Sequence, residues 1–67
     1  MKITVDRLMT LCNDKYFCKV CIWGLESDVE LFMGFYLNCP MELRGEYVAS
    51  FDPISDETDY LVINVDL

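Results

Sequence analysis

Four cysteines are the residues best equipped for chemistry in this sequence, which contains no histidine. Cys18-Lys19-Val20-Cys21 forms a C-x-x-C pair, a spacing that can bind zinc or cycle between dithiol and disulfide. Cys12 and Cys39 would complete a set of four thiolate ligands. Three features weigh against that use. A second C-x-x-C pair, which makes a zinc ribbon recognisable, is missing. The pair falls in a run of β-forming residues, where positions three apart point to opposite faces. A thioredoxin-like pair, by contrast, opens a helix. No metal and no cofactor is therefore expected, and Cys12 and Cys18 read as small buried hydrophobes.

The remaining inventory is equally poor in catalytic groups. Without histidine the chain lacks the commonest general base and the commonest metal ligand. Gly24, Gly34 and Gly45 are isolated, so there is no phosphate-cradling loop. Ser27, Ser50 and Ser55 have no base to activate them. Asp52, Asp56, Glu57 and Asp59 do not match the ligand spacing of an EF-hand. The expectation is a protein that is not an enzyme.

The elements that must position these residues can be read from periodicity. Thr4 suits the cap of a short helix, with Ile3 and Leu8 placed as a hydrophobic staple. Val5, Leu8, Met9 and Cys12 form one apolar stripe, and Asn13-Asp14 ends the helix. Residues 16–23 are rich in β-formers, 24–28 read as a hairpin loop, and 29–37 as the return strand. Pro40, Glu42 and Gly45 suit a single helical turn. Strands follow at 46–51 and 60–67, separated by a polar, turn-rich loop. The fold expected is α+β, residues 1–67 forming one domain. A short N-terminal helix packs on a small, mainly antiparallel sheet of about four strands, and a one-turn helix lies between the strand pairs.

Alternation within the strands then assigns the faces. In the second strand the odd residues Val29, Leu31, Met33, Phe35 and Leu37 are all apolar, and Glu30 and Gly34 are poor core residues, so the odd set is expected inward. Tyr16, Cys18, Val20 and Ile22 are expected inward from the first strand, and Leu61, Ile63, Val65 and Leu67 share one face of the last. Phe17, Trp23, Phe32, Tyr36 and Tyr60 are left over. A short helix cannot cover both faces, so these five aromatics are the expected interface, with another protein or in a homodimer.

Composition supports the same class. The 67-residue chain is 54% hydrophobic and carries a net charge of −7, enough apolar content to fold despite the charge. From Glu46 onward there are acidic residues and no Lys or Arg. Direct nucleic-acid binding is disfavoured because phosphates would be repelled, whereas a basic partner protein is allowed. The start of the chain lacks the apolar stretch and cleavage site of a signal peptide, and no run is long enough to cross a bilayer. A cytoplasmic location and reduced thiols are expected.

The capped first helix, the hairpin, the connector with its helical turn and the final strand Tyr60-Leu61-Val62-Ile63-Asn64-Val65 resemble small uncharacterised α+β proteins of Gram-positive phages and mobile elements. The resemblance implies an accessory or anti-defence inhibitor acting by protein contact. The alternatives carried beside it are a structural homo-oligomer and a cysteine-based metal-binding module.

Overall fold

The computed structural model describes residues 2–52 and 59–67. Six regular elements follow one another: α1 (Val5–Met9), β1 (Lys19–Gly24), β2 (Val29–Phe35), α2 (Met41–Arg44), β3 (Val48–Asp52) and β4 (Leu61–Val65). Two 3₁₀ turns, Lys15–Phe17 and Tyr36–Asn38, lead into β1 and out of β2. Most of the expected acidic loop, residues 53–58, lies outside the described residues.

The four strands form one sheet in the order β2-β1-β4-β3. The outer pairs β1–β2 and β3–β4 are antiparallel, and the central pair β1–β4 is parallel. The sheet is therefore mixed: the mainly antiparallel sheet expected has a parallel pair at its centre. The two central strands are the ones whose apolar residues suit burial: Val20, Cys21 and Ile22 are consecutive buried residues in β1. In β4 burial alternates, Leu61, Ile63 and Val65 being buried, and a neighbouring strand on either side shields Cys21 although it faces away from the helices.

α1 begins where expected. The Thr4 side chain accepts a hydrogen bond from the Arg7 backbone N–H at 3.1 Å, and Asp6 sits in the first turn. The helix is only five residues long, shorter than its apolar stripe suggests. Its entry is tied to β3: the Val5 N–H donates to the Glu46 carbonyl and the Val48 N–H to that of Ile3. These bonds lay α1 across one face of the sheet, and Leu43 of α2 packs against the same core.

The core joins Val5, Leu8 and Met9 of α1 to Val20, Ile22, Leu61, Ile63 and Val65 of the sheet. Tyr36 and Cys39 complete it from the segment after β2. Each fully buried aliphatic side chain contributes about 1.5–3 kcal/mol.

Three strand expectations need correction. Tyr16 and Phe17 belong to a 3₁₀ turn rather than to β1. Tyr36 and Leu37 likewise leave β2. The Tyr36 N–H donates to the Cys18 carbonyl, and the turn that follows carries the Tyr36 ring into the core, where it is fully buried. The third correction concerns the faces of β2. Ile22 pairs with Phe32 but Trp23 pairs with Glu30, so Leu31 is an extra residue in a β-bulge. A bulge places two residues opposite one and shifts the alternation. Leu31 and Phe32 both pack against the core, while Met33 and Phe35 turn away from it.

Candidate interaction face and the aromatic cluster behind it

The sheet has two unlike faces. The core face carries Val20 and Ile22 of β1, with Leu61, Ile63 and Val65 of β4. The opposite face carries the intervening residues. Cys21 lies between Met33 of β2 and Val62 of β4, and Trp23 lies between Glu30 and Asn64. Lys19 pairs with Phe35, and Val62 with Asp52 of β3. Among the described residues no helix packs on this outer face, because α1 and α2 both contribute to the core on the other side.

Met33 is 46% exposed and Phe35 43%, while Trp23 and Val62 are half-buried. Cys21 is buried between its neighbours. Its thiol lies 3.9 Å from Glu30 Oε1. Burial first, and then the Glu30 charge, push its pKa above the ordinary cysteine value. The Lys19 ammonium stands 6.0 Å from the centre of the Phe35 ring, the limit of useful cation–π attraction. The arrangement is an apolar strip with a lysine at one end and carboxylates on either side.

The five aromatics expected at an interface do not come together. Trp23 lies on the outer face. Phe17 is 69% exposed but sits on the first 3₁₀ turn. Tyr60 is half-buried just before β4. Phe32 packs against the core, and Tyr36 is buried within it, so neither can serve on that surface. Met33 and Phe35 take their places. The three consecutive apolar residues Leu31-Phe32-Met33 are the trace of the bulge in the sequence, since strict alternation cannot place all three.

Tyr36 has another task. Its hydroxyl donates to Asp6 Oδ1 at 2.8 Å, and the Lys15 ammonium reaches the same oxygen at 2.9 Å. The Tyr16 ring stacks on Tyr36 with centroids 6.3 Å apart, and the Arg44 guanidinium lies 4.9 Å from the Tyr36 centroid. Arg44 also donates to the carbonyls of Cys39, Tyr36 and Leu37. Lys15, then Tyr36, hold the Asp6 carboxyl below its usual pKa. Desolvation, then Asp6, push the Tyr36 phenol well above its own. An open cavity of about 440 Å³ adjoins the cluster, with Met41 and Arg44 on its wall. The hydrogen bonds run between neighbours and tie α1, both 3₁₀ turns and α2 together.

The four thiols occupy three separate places. Cys18 is near Cys12, Cys21 near Glu30, and Cys39 near the Pro40 carbonyl. Cys18 packs against the core, while Cys21 lies on the outer face, so the C-x-x-C pair does not converge. Among the described residues no three metal-ligating side chains gather. No helix of the described residues is long and apolar enough to cross a membrane. Comparisons with protein-family models, curated proteins and solved structures find no match.

Proposed function

We propose that this chain is a protein-binding module that docks a partner on the outer face of its sheet. Following its resemblance to phage and mobile-element proteins, it serves as an accessory or anti-defence inhibitor in the cytoplasm, acting by contact. The observation that carries this reading is the strip formed by Trp23, Met33, Phe35 and Val62, over which no described helix packs. Exposed apolar strips with charged borders mark interaction sites, and aromatic and methionine side chains are enriched in them.

The partner is a different protein with a basic surface. At a net charge of −7 per chain, two copies repel each other, whereas a basic partner is attracted. The same charge argues against nucleic acid, whose phosphates would be repelled. A homodimer is the second reading, favoured by the position of β2 at the edge of the sheet, where no other strand of the described residues pairs with its outer side, since open edges invite pairing with another copy. A metal-binding module has no support in the placement of the thiols.

Affinity capture from the native host, with wild type and a Trp23→Ala variant in parallel, tests the first reading. Sedimentation at low micromolar concentration tests the second. A captured partner that is released by salt and lost with Trp23→Ala supports heterologous docking. A partner indifferent to both contradicts it.

A further inference from the structure

The C-x-x-C spacing draws attention to Cys18 and Cys21, yet the sulfur closest to Cys18 belongs to Cys12, six residues earlier. The two Sγ atoms are 3.9 Å apart, close to van der Waals contact, and both residues are half-buried. A disulfide needs the sulfurs at about 2.05 Å. Side-chain rotation would have to close the remaining gap, and the chain between them crosses only the turn-rich exit of α1 and the first 3₁₀ turn. Cys21 and Cys39 have no such neighbour: their sulfurs face Glu30 and the Pro40 carbonyl.

We infer that Cys12 and Cys18 are a redox modification site, closing to an intramolecular disulfide when the chain meets a peroxide. In the first step a thiolate attacks the peroxide, its O–O bond breaks, and a sulfenic acid and water form. In the second step the other sulfur attacks the sulfenic sulfur and expels the hydroxyl, which leaves as a second water. The balance is two thiols and one hydrogen peroxide giving one disulfide and two waters. The proximity of the second sulfur makes closure faster than over-oxidation of the first.

The bond would staple the exit of α1 to the entry of β1. The segment it encloses carries Lys15 and Tyr16, the residues that hold Asp6 and stack on Tyr36. Oxidation therefore fixes the aromatic cluster without disturbing the outer face. Desolvation, then Cys12, raise the Cys18 pKa above the ordinary cysteine value. Since the thiolate is the reactive form, closure should accelerate as pH rises.

The test treats the reduced full chain with one equivalent of hydrogen peroxide, alkylates the remaining thiols after unfolding, and maps the cross-link by peptide mass. The expected product links Cys12 to Cys18 and leaves Cys21 and Cys39 alkylated. Closing so short a loop should raise the melting temperature by on the order of 10 °C, a rise absent from Cys12→Ser and Cys18→Ser. A dominant cross-link involving Cys21 or Cys39, or over-oxidation with no cross-link, overturns the inference. An unchanged melting temperature after the mapped bond has formed overturns the stapling of α1 to β1.

Discussion

Ile22 of β1 stands opposite Phe32 of β2, and the next pair along the hairpin is Trp23 with Glu30. Leu31 is thus left without a partner. That one extra residue decides which side chains of β2 meet the core and which remain for a partner. The make-up of the outer face depends on it.

The bulge makes a stability prediction with a definite order. Phe32 packs against the core and Phe35 does not. Phe32→Ala should cost about 2–3 kcal/mol, since the ring is only half-buried, and Phe35→Ala less than about 1 kcal/mol. Urea unfolding of the two variants measures both. If Phe35→Ala were the more costly, the odd residues of β2 would face inward and the outer face would be misassigned.

The Tyr36–Asp6 bond ties the core to the start of α1, and it should carry a pH signature. Asp6 is held below its usual pKa in the folded chain, first by Lys15 and then by Tyr36. A depressed carboxyl contributes stability that is full above its unfolded value and lost as pH falls through the folded one. Asp6→Asn should therefore be less stable than wild type at neutral pH, and the gap should close below about pH 4. Because the Asp6 side chain is about half exposed, the increment is modest. Thermal melts of both proteins at pH 3 and pH 7 measure it; a gap independent of pH contradicts the pairing.

Tyr36→Phe removes only the hydroxyl and should cost about 1 kcal/mol, the worth of one hydrogen bond. Denaturant titration at pH 7 reads this directly. An unchanged midpoint would mean that the phenol gains nothing over water from Asp6.

Gly34 and Gly45 should respond differently to alanine. Gly34 has φ +146°, a conformation that residues with a side chain rarely adopt, although its added methyl would have room. Gly34→Ala should cost about 1–3 kcal/mol through the backbone alone. Gly45 has φ −86° and open space around it, so Gly45→Ala should be neutral within about 0.5 kcal/mol. Equal melting temperatures for the two variants would show that the strand does not hold Gly34 in that conformation.

Much of the local structure is legible in the residues. Thr4 caps α1 as its type suggests, Pro40 and Gly45 bracket α2, and Leu61, Ile63 and Val65 point inward from β4 as their alternation indicates, whereas Leu67, expected with them, lies beyond the strand and is exposed. What escapes a reading of the chain depends on contacts between distant segments. The parallel pairing of β1 with β4 leaves no mark on either strand beyond apolarity. The turn at Tyr36 depends on the Cys18 carbonyl and on Asp6. Glu30 and Gly34 mask the bulge at Leu31, because their types indicate that the even positions of β2 face outward. Alternation without the bulge puts Phe32 at the interface and Met33 and Phe35 in the core, and alternation continued past Phe35 puts Tyr36 at the interface as well. In the cysteines, spacing pointed to Cys18 and Cys21, whereas the fold brings Cys12 to Cys18.

The outer face as a docking surface is tested most directly by measuring the affinity of a captured partner for wild type and for Phe35→Ser, with the melting temperature as a control for folding. A tenfold or greater loss of affinity, about 1.4 kcal/mol, with the melting temperature within a few degrees of wild type, is the predicted result. Undiminished affinity in a folded Phe35→Ser chain would place the partner elsewhere and contradict the account.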